Sequence, residues 1–184
     1  MMQVEKRQHK IDAATAAFTV LMSVYHRDDP DLFKMALLSV FCNTVQPSEL
    51  VVVADGPLTE ELEIIISEFE EKYDYFVVYR QQSNLGLASA LNLGLRKIKT
   101  PWIVRADADD YNHPNRFETL MSRVLSARQP PDVCGSFINE VDANGGLLAV
   151  RRVPVTHREI VKFAKKRNPF NHMTVCMRRD AVLA

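Results

Sequence analysis

Four short apolar runs, Thr19–Tyr25, Glu49–Ala54, Tyr75–Tyr79 and Trp102–Ala106, recur along the first part of the chain, and a helical pattern separates each from the next. Runs without polar alternation predict strands buried on both faces. A strand–helix–strand rhythm predicts a parallel sheet, because parallel neighbours need a long crossover and a helix supplies it. Asp29-Pro30 starts the first helix, with Phe33, Leu37, Val40 and Phe41 inward. Thr59 caps the second, whose core face is Leu62, Ile65, Ile66, Phe69 and Tyr73. Asn84–Leu95 reads as the third and Pro114 opens a fourth, with Phe117, Leu120, Met121, Val124 and Leu125 inward.

Beyond residue 128 the rhythm changes. Val133–Ile138 and Leu147–Val150 read as strands about an Asn144-Gly145-Gly146 turn, followed by a helix over Thr156–Lys166 and a strand over Thr174–Met177. The expected class is α/β with a mostly parallel, Rossmann-like sheet and helices on both faces. Residues 1–17 read as a loose leader and 18–184 as one domain. Arg179–Ala184 resembles a helix beginning more than a domain ending.

The chain has 184 residues, with 23 Lys+Arg against 23 Asp+Glu. That balance argues against a nucleic-acid partner. It hides an asymmetry: residues 151–184 hold nine bases (Arg151, Arg152, Arg158, Lys162, Lys165, Lys166, Arg167, Arg178, Arg179) against Glu159 and Asp180. A basic end suggests an anionic partner there. The stretch 151–167 is either a solvated helix face or a surface that meets phosphate or an anionic membrane, at about 1 kcal/mol per basic residue. Cys42, Cys134 and Cys176 lie far apart and fit buried thiols in a reducing cytoplasm. No run reaches the ~18 apolar residues of a membrane span.

In an open α/β sheet, ligands gather beyond the carboxyl ends of the strands. The polar residues there are Ser23 to His26, Asp55, Asn84, Arg105, Asp107, Asp109 and Asp110. Arg105-Ala106-Asp107-Ala108-Asp109-Asp110 is the sharpest signal. Three carboxylates within four residues repel one another, and a divalent cation offsets the repulsion. Oxygen ligands suit Mg²⁺ or Mn²⁺; the glycine and glutamate spacing of a calcium-binding EF-hand loop is absent. An isolated acidic triplet is more often a solvated loop, but this one directly follows a buried strand on the ligand side. Asp55-Gly56 is either a simple turn or a carboxylate that accepts from a base N–H or a sugar hydroxyl. Asn84 and Gly86 open a helix on the same side, where a nucleotide contact is expected; Gly94 reads as a helix-packing glycine. His172 in Asn168-Pro169-Phe170-Asn171-His172 reads as structural or exposed.

Taken together, TVLMSVY at the first strand, ELVVVADG at the second, Asn84-Leu85-Gly86 continuing to Ala90, Asn92 and Gly94, RADADD followed by Pro114 and Arg116, and NPFNHMTVCMRR near the end resemble glycosyltransferase family 2. These are inverting nucleotide-sugar transferases of the GT-A fold, and the likeness is strongest to bacterial exopolysaccharide and O-antigen enzymes. The resemblance implies a nucleotide-sugar donor, such as a UDP-sugar, and a glycan or lipid-linked saccharide acceptor. It also implies a Mn²⁺ or Mg²⁺ cofactor and a cytoplasmic place, with contact at the inner membrane face through the basic region. Ser23, Val24 and Tyr25 would contact the nucleoside, and Asp55 the base. Asn84 and Gly86 would touch the nucleotide. Asp107 and Asp109 match a DxD motif that holds ribose and metal, with Asp110 supporting the loop or facing the sugar. Arg105 and Arg116 would orient these carboxylates.

The chain departs from the family pattern at Ala54, where many members have a first acid, at Pro57 in place of serine, and at His26 in place of asparagine. The family's Glu-Asp pair with its catalytic base and its Gln-x-x-Arg-Trp segment lie beyond the region that Arg178–Ala184 matches, so no general base is identified. Two other readings stay open: a non-catalytic nucleotide-sugar-binding module, and a sugar-phosphate nucleotidyltransferase. The latter wants a glycine- and arginine-rich loop where Tyr25-His26-Arg27-Asp28 stands.

Overall fold

The structure, a computed structural model, describes residues 16–184. Most of the expected leader, residues 1–15, lies outside the described residues. Strands β1 (Phe18–Val24), β2 (Glu49–Ala54), β3 (Phe76–Arg80) and β4 (Trp102–Arg105) alternate with helices α1 (Pro30–Phe41), α2 (Glu60–Lys72) and α3 (Leu87–Lys97). Helix α4 (Arg116–Ser126) follows, then β5 (Val133–Cys134), β6 (Ile138–Val141), β7 (Leu147–Arg151) and α5 (His157–Ala164). A 3₁₀ turn (His172–Thr174), β8 (Cys176–Arg178) and α6 (Arg179–Leu183) complete the described chain.

The main sheet has the order β3-β2-β1-β4-β8-β5. The first four strands run parallel, and β8 joins β4 antiparallel. The doubly covered arrangement expected from the apolar runs is what forms. Side chains alternate along β1 and β2 between two cores. Phe18, Val20, Met22 and Val24 with Leu50, Val52 and Ala54 pack against α1, α2 and α4, whereas Leu21, Val51 and Val53 pack against α3 with Ala90. Each fully buried Leu, Val or Phe contributes about 1.5–3 kcal/mol.

Local chemistry sets the helix starts. The Asp29 carboxylate accepts from Asp31 N at 2.9 Å and Leu32 N at 3.0 Å, with Pro30 at the first helical position. Thr59 accepts from Leu62 N, and Glu60, Glu61 and Glu63 occupy the positive first turn of α2. Helix α3 starts at Leu87, later than expected, because Gly86 has φ +88° and interrupts helical backbone. Helix α4 starts at Arg116, since Arg116 N bonds His113 O and Pro114 lies in that turn. Gly94 is required by packing: a Cβ there would lie 2.3 Å from Leu21 Cδ1, so α3 sits directly on β1.

Three expectations need correction. Val133–Ile138 is not one strand. Val133–Cys134 pairs with β8 at the sheet edge, and Ile138–Val141 leaves to form a separate antiparallel hairpin with β7. The expected strand Thr174–Met177 begins at Cys176, because residues 172–174 close a 3₁₀ turn first. Of the three thiols, Cys176 is buried and Cys134 half-buried, but Cys42 is exposed at the end of α1. No helix among the described residues is long and apolar enough to cross a membrane.

Candidate functional site

The carboxyl ends of β1, β2 and β4 and the loop after β3 surround a cleft of about 330 Å³. Ser23, Val24 and Tyr25 enter it from β1, and Asp28 from the turn beyond. That turn is closed by Asp28 N donating to Tyr25 O and by Tyr25 N donating to Asp28 Oδ2 at 2.9 Å. Asp55 enters from β2, Asn84, Gly86 and Leu87 from the start of α3, and Asp107, Ala108 and Asp109 from the loop after β4.

Asp55 is buried, and both its oxygens are engaged. Oδ1 accepts from Leu85 N at 2.7 Å and Oδ2 from Gly86 N at 2.9 Å. Helix α3 has no side-chain cap of its own residues, so this carboxylate from the neighbouring strand accepts the free N–H groups at its entry. Gly56 allows the close approach. Its φ is +88°, and a Cβ there would lie 2.5 Å from Asn84 N.

The acidic loop is built from beneath by two arginines, Arg105 buried and Arg116 half-buried. Arg105 donates through Nη1 to Leu21 O at 2.9 Å and Ala106 O at 3.1 Å, and through Nη2 to Asp107 Oδ1. Arg116 donates through Nη2 to Arg105 O at 2.7 Å and Met173 O at 2.9 Å, and through Nη1 to Asn112 Oδ1. Burial pushes the Arg116 guanidinium down to about 10, and lowers that of Arg105 against the pull of Asp107. Arg116 thus ties the end of β4, the far end of the acidic loop and the 3₁₀ turn before β8 into one unit.

Asp107, Asp109 and Asp110 each bring a carboxylate oxygen to within 4.8 Å of the other two. Burial first, then the charges of Asp109 and Asp107, raises the Asp110 carboxyl above the ordinary range; the same causes raise Asp28. Four acids therefore face one corner, while Arg105 and Arg116 lie behind it. An all-oxygen donor set whose charge is offset by one ion pair, Arg105 to Asp107, fits Mg²⁺ or Mn²⁺. Asp107 and Asp109 would hold the ion, with Asp110 beside them.

Ser23, Val24, Tyr25, Asp55, Asn84, Gly86, Asp107 and Asp109 come together at one cleft. Asp110 adjoins it through the carboxylate cluster. Arg105 does not line the cleft; it lies under the loop. Two residues were not read from sequence as site residues, and His172 was read as structural or exposed. Asp28 sits just past the first strand end, where its position alone could have flagged it. His172, whose Nε2 lies 3.4 Å from Asp107 Oδ2, arrives from a distant segment and carried no local signal.

The chain that builds this layered sheet and acidic cluster matches the model of glycosyl transferase family 2 over residues 19–184. The chain belongs to that family. It is 40% identical over 169 residues to an uncharacterized glycosyltransferase of Haemophilus influenzae, covering 90% of this chain and 62% of that protein. It is 32% identical over 169 residues to UDP-Gal:alpha-D-GlcNAc-diphosphoundecaprenol beta-1,3-galactosyltransferase of Escherichia coli, covering 92% of this chain and 61% of that one. The chain thus spans about three-fifths of these relatives. Among solved structures, Staphylococcus aureus TarS 1-349 in complex with UDP-GlcNAc superposes with a TM-score of 0.70 at 19% identity, over 91% of this chain and 46% of that one. A mannosyltransferase of Pyrobaculum calidifontis in complex with GDP-Man and Mn²⁺ superposes with a TM-score of 0.61 at 18% identity, over 90% of this chain and 45% of that one. These two likenesses carry the fold, which is the GT-A arrangement.

Proposed function

We propose that this chain is the donor-binding part of a glycosyltransferase that moves a sugar from a nucleoside diphosphate sugar, a UDP-sugar, to an acceptor hydroxyl with inversion. The acceptor is a glycan or lipid-linked saccharide of bacterial surface polysaccharide. The observation that carries the reading is the Asp107–Asp109–Asp110 cluster facing a cleft whose other wall is Asp55, Asn84 and Gly86. The name of the Escherichia coli relative, with its UDP-Gal donor and diphosphoundecaprenol acceptor, supports the donor and acceptor classes.

The nucleoside lies along Ser23, Val24 and Tyr25, partly against backbone. Asp55 fixes the Asn84–Gly86 loop with one lone pair of each oxygen and keeps the others for a base N–H. Asn84 and Gly86 border the nucleotide. Asp107 and Asp109 hold a divalent cation that, when bound, neutralises charge on the leaving diphosphate. Arg105 keeps Asp107 in place and does not itself touch the donor. Asp110 faces the sugar. The acceptor hydroxyl must lose its proton to a positioned carboxylate, a role assigned to none of these residues. The exposed Leu147, Leu148 and Val155, next to Arg151 and Arg152, support contact with an anionic membrane surface.

Calorimetry with UDP, with and without Mn²⁺, tests the reading. Binding should depend on the metal and be lost in Asp109→Ala. Metal-independent heat, or none, would overturn it. Turnover of a UDP-sugar separates the transferase from a module that only binds donor.

A further inference from the structure

We infer that His172 is a donor-contacting residue, and that its imidazole meets the diphosphate from the side of the Asp107 loop away from the nucleoside. The inference rests on the donor reading above.

Strand order provides the geometry. β4 lies between β1 and β8. The nucleoside side of the cleft is built from the ends of β1 and β2 and the loop after β3, all on one side of β4. His172 comes from the turn before β8, on the other side. Asp107 stands between the two, with Oδ1 held by Arg105 and Oδ2 facing His172 Nε2 at 3.4 Å. A nucleotide whose base lies near Asp55 and whose phosphates reach Asp107 and Asp109 runs its far end toward His172.

The turn that carries His172 is anchored, while the ring is not. Asn171 and Thr174 are buried; Asn171 Nδ2 donates to Ser136 O at 3.1 Å and Thr174 Oγ1 to Asn171 O at 2.8 Å. Arg116 fixes Met173 O from below. The His172 side chain itself is 51% exposed, so its contact with Asp107 adds little to stability. A rigid turn that presents a half-exposed ring to an acidic cluster is not explained by folding.

Chemistry gives the ring a task. An anionic diphosphate needs donors, yet the exposed side chains of the cluster are carboxylates. Arg105 is buried and Arg116 half-buried, and both guanidinium groups are committed to backbone carbonyls beneath the loop, so neither is aimed at a phosphate. The imidazole N–H of His172 is a donor placed to bond a phosphate oxygen.

Calorimetry at saturating Mn²⁺ compares UMP and UDP on the wild type, His172→Ala and His172→Gln. His172→Ala should weaken UDP about tenfold, the worth of one hydrogen bond to a charged group, and leave UMP within about twofold. His172→Gln, which keeps a donor, should recover most of the loss, and the melting temperature of both variants should match the wild type. Equal losses on UMP and UDP, or no loss on either, would overturn the assignment while the donor reading stands. If the wild type shows no metal-dependent UDP binding, both fall.

Discussion

Asp55 accepts the backbone N–H of Gly86 at 2.9 Å, and so joins the carboxyl end of β2 to the entry of α3 across the floor of the cleft. Its other oxygen takes Leu85 N. Asp55→Ala removes the acceptor for two N–H groups and should cost about 1–3 kcal/mol in urea unfolding. UDP affinity should fall with it, because the Asn84–Gly86 wall loses its anchor. Unchanged stability with unchanged UDP binding would show that the loop holds without the carboxylate.

Gly56 makes that join possible. Gly56→Ala places a Cβ 2.5 Å from Asn84 N, against backbone that cannot rotate away, and in a φ of +88° that L-residues rarely adopt. The expected loss is about 1–3 kcal/mol. Gly86→Ala shares the positive φ but meets nothing within 4 Å, so it should cost less. Thermal melts of the two variants side by side test the ranking.

The acidic corner should trade stability for binding. Asp110→Asn relieves like-charge repulsion and should raise the melting temperature of the metal-free protein, while shrinking the stabilisation that Mn²⁺ adds to the wild type. Differential scanning fluorimetry with and without Mn²⁺ reads both effects. A variant that melts lower than wild type in the absence of metal would contradict the repulsion argument.

The same corner has a pH signature. Asp28 and Asp110 sit above the ordinary carboxylate value of 3.8 in the folded chain, so the native state binds more protons than the unfolded one across the interval between the two values. Their contribution to metal-free stability therefore falls as pH rises through that interval. The stabilising effect of Asp110→Asn should grow as pH rises from the ordinary carboxylate value of 3.8 through the raised one. Melting curves across that range would show a constant difference if the raised values were absent.

The hairpin of β6 and β7 leaves Leu147 and Leu148 more than 60% exposed beside Arg151 and Arg152. Co-sedimentation should show binding to vesicles that contain anionic lipid and weaker binding to purely zwitterionic ones. Added salt should reduce it, as should Leu148→Asp. Equal partition to both vesicle types would remove the membrane reading and leave the donor site untouched.

Period and polarity alone determined the body of the sheet. Runs such as Leu50–Val53 and Ile103–Val104 can satisfy neither an exposed face nor a helix stripe, so they demand cover on both sides. The Asp107–Asp110 cluster was legible for a related reason: crowded carboxylates directly after a buried strand have no use in packing. Only the tertiary structure decided which segments became neighbours. Val133 and Ile138, the two ends of one expected strand, chose different partners, because a strand is defined by what it pairs with and not by its own residues. Arg105 looked like a ligand group beside the acids, yet the pleat turned it inward beneath them. His172 was unremarkable in the chain until β8, folding back antiparallel onto β4, carried its turn to the side of Asp107; contacts between distant segments leave no local trace.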